Sequence, residues 1–371
     1  MPNPLPPAPD LAFDMATTGV MAGASEALGR LSGLAAQLPN PDLFIAMYVR
    51  KEAVLSSQIE NIECTLDDVL QFEESPDGSN QDAAAVVRYV EALKRGYPAM
   101  SQRGLSMDLI RELHQVLMSD LGDGERQPGE FRTEQNWIGA RNTPIERAIY
   151  VPPPVERMHL ALHNLNYYLN EYQGHPPLVA CGIAHAQFET IHPFHDGNGR
   201  LGRMLIPLML ARDHVLERPF LYPSLFFRDN RREYYDRLTA VREKGDWAGW
   251  LKFFWLALRT AAEEATQTTK SILELRERVD GSARALTPSS VQVAKIMFEY
   301  PVLSANAVKK RLDVSFDTAI AALRQLVEAE WLQEFTGKRR GMLFRFTPYL
   351  EILEGAGEEG LKHHVSKRSK P

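Results

Sequence analysis

The stretch HPFHDGNGRLGR, His192 to Arg203, constrains this chain more than any other part of it. PPLVACGIAHAQFETI (176–191) runs into it at helical period, and GRLGRMLIPLMLARDHVL (199–216) leaves it the same way. The frame is therefore helix, short loop, helix. Residues 197–202, GNGRLG, literally fit the G-x-G-x-x-G dinucleotide pattern. That pattern needs a strand before its first glycine. Here a helix precedes it, and His195 and Asp196 stand directly before Gly197. An acid beside the turn repels a pyrophosphate unless a metal lies between them, so the dinucleotide reading fails.

The same residues suit a different phosphate cradle. Gly197 and Gly199 let backbone N–H groups turn toward an anion. The helix that starts near Gly199 offers that anion its positive end. Arg200 and Arg203 are three apart, so both can lie on one face of the first turn. Asp196 is placed to hold Mg²⁺ against phosphates, and Asn198 to donate to a phosphate oxygen. His192 precedes Pro193 at the helix exit, and an imidazole with a near-neutral pKa can take a proton from an attacking hydroxyl. Base, metal ligand, anion cradle and charge clamp together point to phosphoryl or nucleotidyl transfer.

Most of the remaining chain reads as helix. A helix is expected from Asn40-Pro41-Asp42 (cap, first-position proline, first-turn acid), followed by helices at 82–96, 106–122 and 155–172 and one or two more within 234–279. QPGEFRTEQNWIGARNTPIERAIYVPPP (127–154) is rich in Gly, Pro and β-formers and predicts a β-hairpin. After a linker at 280–290, helical patterns at 289–299, 304–312 and 315–329 precede strand-like runs at 331–335 and 342–346, which predicts a winged helix-turn-helix. The expected domains are an N-terminal helical region (1–100), a catalytic domain (101–280), a winged helix (285–355) and a disordered tail (356–371). The fold class is thus mainly α, with a hairpin and a C-terminal winged helix. The net charge of −6 argues against a chain built as a whole to coat nucleic acid or anionic membrane. Cys64 and Cys181 fall in apolar-periodic stretches and read as buried thiols. The greasiest run, WLKFFWLAL, is broken by Lys252, and the proline-rich start MPNPLPPAPDL lacks the features of a secretory signal. A cytoplasmic protein is the expectation.

His192-Pro193-Phe194-His195-Asp196-Gly197-Asn198-Gly199-Arg200, with Arg203 behind it, resembles the signature loop of the Fic family, H-P-F-x-[D/E]-G-N-[G/K]-R. The resemblance implies a Fic helical fold and transfer of AMP from ATP to a hydroxyl of a protein. It implies His192 as general base and Asp196 as the Mg²⁺ ligand. The backbone of Gly197 to Gly199 with Asn198 would form the cradle, and Arg200 and Arg203 would hold the ATP phosphates. Leu201 and Gly202 belong to the same ATP-binding stretch, and Phe194 would pack the loop on the core. No role falls to His195. Doc-like members, which phosphorylate, resemble the lysine form of the motif, so Gly199 favours adenylylation.

A second motif lies upstream. Ser56 and Glu60 stand four apart on a predicted helix, and such a pair ordinarily faces water. Ser56-xxx-Glu60-Asn61 also resembles the family's inhibitory helix, [S/T]-x-x-x-E-[G/N]. There the glutamate pairs with the second loop arginine, here Arg203, and leaves the ATP α-phosphate misaligned for attack. The hairpin at Trp137, Ile138 and Gly139 resembles the flap on which an extended protein target docks. RREYYDRL (231–238) resembles the segment whose tyrosine stacks near adenine, with Tyr235 first and Tyr234 as the alternative. From Leu286 to Leu350, nine basic residues face six acidic ones, but the would-be recognition helix opens on Asp317 and carries few base-reading side chains. DNA binding and homodimerisation stay open. The expectation is a self-inhibited protein adenylyltransferase using ATP and Mg²⁺, with self-modification included and no membrane partner. Its rivals are removal of AMP by way of Glu60, and a DNA-binding regulator whose Fic domain only senses.

Overall fold

The structure, a computed structural model, describes residues 2–8, 10–36, 41–74, 76, 80–119, 127–139, 144–282, 285–338 and 340–355 (for 41–44 the backbone alone). The expected cap Asn40, the wing residue Arg339 and the tail beyond 355 lie outside the described residues. Helices come in the order α1 (Met15–Ala36), α2 (Pro41–Ile59), α3 (Leu66–Glu74), α4 (Gln81–Arg103), α5 (Met107–Met118), α6 (Val155–Asn170), α7 (Pro177–Ile191) and α8 (Asn198–Arg212). Then follow α9 (Ser224–Asp229), α10 (Arg231–Lys244), α11 (Trp247–Ser282) and α12 (Pro288–Ile296). The C-terminal end runs β1 (Val302–Ser304), α13 (Ala305–Leu312), α14 (Phe316–Glu328), β2 (Gln333–Glu334), β3 (Leu343–Arg345) and α15 (Thr347–Gly355).

The chain divides into two compact units. One comprises Met1–Gln37, Tyr48–Cys64 and Ala84–Glu263; the other comprises Leu38–Met47, Thr65–Ala83 and Glu264–Pro371. In the first, α7 is the central element. It is buried nearly all round, which its sequence requires because no polar stripe interrupts it. α8 packs antiparallel beside it, and α6 and α10 lie against it. Two tryptophans of α11 fix its near end: Trp250 Nε1 donates to the Gly182 carbonyl at 2.8 Å and Trp255 Nε1 to that of Leu178 at 3.0 Å. Each large ring thus buries apolar area without stranding its one donor. Cys64 and Cys181 are buried thiols, as expected.

In the second unit, three antiparallel strands pair in the order β1-β3-β2. Phe344 of the central strand stands opposite Leu303 on one side and Glu334 on the other. Hydroxyl caps start the helices here: Thr287 for α12, Ser304 for α13 and Ser315 for α14 each accept from the backbone N–H three residues on. α3 belongs to this unit. Glu74 accepts from the Ser304 N–H and hydroxyl and pairs with Arg311 at 3.2 Å, while Asp67 meets Arg345 at 3.0 Å.

Several expectations change. The hairpin predicted within 127–154 is, among the described residues, a single antiparallel bridge between Ile138 and Tyr150, with a 3-10 turn at Ile145–Arg147. The proline run that follows Val151 has no N–H to extend a ladder. The predicted linker 280–290 begins inside α11, which continues through Ser282. α1, α3, α9, β1 and α15 have no counterpart in the sequence reading.

Candidate active site

The loop between α7 and α8 starts with a sharp reversal. His192 caps α7 in the left-handed region (φ 49°, ψ 61°), its N–H donating to the Phe188 carbonyl at 2.9 Å. Strain of this kind persists only where neighbours fix it, and Arg132 does so. This buried arginine donates through Nε to the His192 carbonyl at 3.1 Å, and its backbone N–H donates to the Pro193 carbonyl at 2.9 Å. Its other nitrogens reach the carbonyls of Glu134 and Pro153. Asn136 Nδ2 adds a bond to the Phe194 carbonyl at 2.9 Å.

Phe194 is fully buried and stacks on His114 of α5 at 3.7 Å between ring centroids, which fastens the loop to the core as expected. His114 Nδ1 accepts from the Gly129 N–H at 2.9 Å, so Nε2 carries the proton and donates to the Asp196 carbonyl at 3.0 Å. Burial pushes the pKa of His114 down to about 4, in keeping with a neutral ring. The Asp196 carboxylate accepts from the Gly197 N–H at 2.6 Å.

Gly197 (φ 75°) caps α8 without any side-chain hydrogen bond. The first backbone N–H groups of α8 therefore point outward from a positive helix end. Asn198 turns back onto the loop. Its side chain accepts from the Phe194 N–H at 2.9 Å and donates to the Phe194 carbonyl at 2.8 Å, and the residue is buried. Both ends of the amide thus staple the loop, beside the backbone N–H groups of the cradle. Leu201 is a core residue. Gly202 gives space to Glu189, whose carboxyl a β-carbon there would strike. Arg200 and Arg203 go to different neighbours and form no common clamp: Arg200 Nη2 meets Met118 Sδ at 3.3 Å, while Arg203 turns to α2.

The expected contact across the chain is present. Arg203 Nε donates to Ser56 Oγ at 2.9 Å, and Nη2 donates both to the Ser56 carbonyl at 2.9 Å and to Glu60 Oε1 at 2.7 Å. The arginine side chain is 1% exposed and that of Glu60 is 35% exposed. Ser56 lies in the last turns of α2, whereas Glu60 sits in the turn just beyond its end. Asn61 then adopts φ 61°, a left-handed conformation that Gly and Asn tolerate best. That accounts for glycine or asparagine after the glutamate in this motif. Gly199 completes the arrangement, since a β-carbon there would collide with the Glu60 carboxylate. One helical turn before Ser56, Glu52 is buried with Ser224 and Tyr89, and burial lifts its carboxyl to about 8. This neutral anchor fixes the end of α2 in the core.

Around His192, burial comes first and the charge of Arg242 second in pushing the imidazole down to about 4. Glu60 and the nearby Glu189 backbone pull the other way. The ring is therefore neutral at ordinary pH and able to accept a proton. Glu189, buried three residues before it, is held up to about 7 by burial, with Arg203 opposing and Glu60 adding to the rise. Tyr235 is partly exposed and lies within electrostatic reach of Glu60 and Arg203. Tyr234, the alternative for the adenine contact, is a core residue whose hydroxyl bonds His185 at 2.9 Å. Trp137 is 43% exposed beside the Ile138 bridge, with Gly139 exposed next to it. Sequence reasoning missed His114, Arg132, Glu189 and Arg242; GEFR is the only local signal for any of them.

Among the described residues no group of three or more His, Cys, Asp or Glu side chains forms a metal cage, and no helix is long and apolar enough to cross a membrane. The Fic/DOC family N-terminal model matches residues 19–98, and the Fic/DOC family model matches residues 104–210. The curated protein adenylyltransferase Fic of Aedes aegypti is 30% identical over 148 residues, 39% of this chain and 26% of that protein. That of Drosophila grimshawi is 28% identical over 146 residues, with the same coverage, so the chain spans about 26% of the length of these relatives. A crystal structure of a Fic family protein from Desulfovibrio desulfuricans matches 92% of this chain and 98% of its own, with TM-score 0.57 and 24% identity. Fic-1 of C. elegans (residues 134–508) matches 70% of this chain at TM-score 0.52 and 21% identity. With the two family models together taking in just over half of its residues and its fold shared with solved members, the chain belongs to the Fic/DOC family.

Proposed function

We propose that this chain is a self-inhibited protein adenylyltransferase, which moves AMP from ATP to a Ser, Thr or Tyr hydroxyl of a protein, itself included. The observation that carries this reading is the pairing of Arg203 with Glu60 beside a neutral His192. The triphosphate sits over the outward N–H groups at the start of α8, with Arg200 and Arg203 supplying positive charge. His192 takes the proton of the target hydroxyl as its oxygen attacks the α-phosphorus. The bond from that phosphorus to the bridging oxygen of the β-phosphate breaks, and pyrophosphate leaves. Asp196 is the residue that would hold Mg²⁺, a cation satisfied by one carboxylate, waters and phosphates. The ion would screen phosphate charge. With Glu60 on Arg203, the positive group meant for the far phosphate is neutralised and the space over Gly199 is filled, so ATP lies out of line for attack.

The flap at Trp137, Ile138 and Gly139 receives the target backbone, and Tyr235 takes the adenine side. Residues 288–346 serve as a winged helix-turn-helix, a reading supported by the order helix, strand, helix, helix, strand, strand. The placement of Glu60 within electrostatic reach of both Arg203 and His192 also favours removal of AMP as a second reading, with the carboxylate orienting water. ATP labelled in turn at its α- and γ-phosphates tests the main reading. AMP transfer puts only the α-label on protein. Label from the γ-phosphate would make the chain a kinase instead.

A further inference from the structure

The turn that carries His192 is tied to the segment around Tyr150 by one residue that neither the loop motif nor the proposed activity assigns. From α10, Arg242 Nε donates to Thr190 Oγ1 at 3.3 Å and Nη2 to the Glu189 carbonyl at 3.2 Å. Its guanidinium lies 3.8 Å from the centroid of the Tyr150 ring. The Tyr150 hydroxyl donates to the Thr190 carbonyl at 2.7 Å. Tyr150 is also the residue bridged to Ile138, so the same contacts reach the flap. The last carbonyls of a helix lack intrahelical donors and carry its negative end, and a cation there is favourable twice over. Arg242 further forms part of the wall of a cavity of about 420 Å³, with Ile149, Val151, Thr239 and Glu243 around it. The cavity opens beside the same turn.

We propose that Arg242 is a positioning residue for AMP transfer: it locks the His192 turn to the flap-side segment through Tyr150 and presents a positive charge to the imidazole. The proposal rests on the adenylyltransferase reading for its role in catalysis. The charged groups facing His192 are Arg242 from α10, Arg132 from the segment before α6, and Glu60 from the turn after α2; from its own helix comes only the Glu189 backbone. Two cations outweigh one carboxylate, and burial acts in the same direction, so the ring stays unprotonated below its ordinary range. Loss of Arg242 leaves Glu60 opposing Arg132 alone in the parent chain, and in Glu60→Gly it removes the larger of the two cationic effects.

The test uses the full chain with Glu60→Gly, α-labelled ATP and self-labelling as readout. Arg242→Gln lowers the rate at saturating ATP by about tenfold or more, leaves the KM for ATP within about twofold, and moves the acid limb of the rate toward the ordinary imidazole range. Arg242→Lys recovers the acid limb but only part of the rate, because an ammonium keeps the charge and loses the planar fork. Should Arg242→Gln fail to fold by circular dichroism, Tyr150→Leu removes the ring beneath the guanidinium and gives the same loss of rate. Parent rate and parent acid limb in Arg242→Gln, or parent rate in Tyr150→Leu, would overturn the proposal. If Glu60→Gly itself incorporates no AMP, the activity reading has failed, and NMR titration of His192 in the parent chain and Arg242→Gln decides separately. An upward shift of its midpoint supports the role of Arg242, and an unchanged midpoint rejects it.

Discussion

The two ends of the loop 192–203 are held by opposite means. At the His192 end, Arg132 and Arg242 donate to backbone carbonyls, and His114 and Phe194 stack in the core. At the Arg203 end, Ser56 and Glu60 come from more than a hundred residues away, and the carboxylate is 35% exposed. A network of buried donors on carbonyls can be broken only by unfolding its surroundings. A single ion pair with one partner at the surface can open while the rest stays folded. On the proposed reading, the catalytic end is thus built to stay, and the regulatory end is built to let go.

The largest effect tests the permanent end. His192→Ala abolishes AMP incorporation, a fall of about 10³-fold or more, while circular dichroism stays unchanged. Activity within tenfold of the parent would remove His192 from its role. Next in size, Arg132→Met strands the carbonyls of His192, Glu134 and Pro153 and lowers unfolding free energy by about 3 kcal/mol or more in urea titration. Loss of Glu60 from the other end costs only about 1–2 kcal/mol, since Ser56 keeps two of the three bonds to Arg203. Equal losses would erase the contrast between the ends.

A smaller effect appears with pH. Burial holds His114 and His192 at about 4 and His185 at about 3, below their ordinary 6.5. As pH falls from 6.5 toward 4, the unfolded chain takes up protons that these rings refuse, so stability is lost in that window. Burial raises Glu52 to about 8 and Glu189 to about 7 from 4.5, so the fold keeps protons that the unfolded chain releases, and stability is lost as pH rises from 4.5 toward 8. With three rings against two carboxyls, unfolding free energy peaks near about pH 6.5. Glu52→Gln makes the alkaline decline shallower; a decline as steep as the parent's would show Glu52 ionised in the fold. The smallest effect separates the two tyrosines. Tyr235→Ala raises the KM for ATP several-fold with little change in stability, whereas Tyr234→Phe loses its bond to His185 and costs about 1 kcal/mol. Reversed outcomes would exchange their places.

The loop was legible because its chemistry is contiguous: imidazole, carboxylate, glycines and arginines stand within twelve positions. Ser56 and Glu60 were legible only through motif resemblance, and the left-handed Asn61 supplies the physical reason for one of its positions. Arg132 and Arg242 were not, because their acceptors are backbone carbonyls, which every sequence has and none advertises. The bonds of Asn198 within the loop were hidden for a related reason. Its amide suits a phosphate oxygen, but the Phe194 peptide offers the same donor and acceptor closer by. α1 escaped notice because Gly19, Gly23, Gly29 and Gly33 lower its intrinsic propensity. α3, nine residues long, is too short for periodicity to mark, and its start rests on Thr65 and Asp68 capping each other. The hairpin was over-read: β-formers around Trp137 suggested a ladder, and the prolines of 152–154 cut it to one bridge.

The contact between Glu60 and Arg203 as a restraint on transfer is the centre of this account. Its most direct test is the rate of α-label incorporation from ATP by the parent chain and by Glu60→Gly, at equal protein and saturating ATP. Release of Arg203 predicts a rate higher by about tenfold to a hundredfold in Glu60→Gly, abolished again by adding His192→Ala. A rate in Glu60→Gly no higher than in the parent would contradict it.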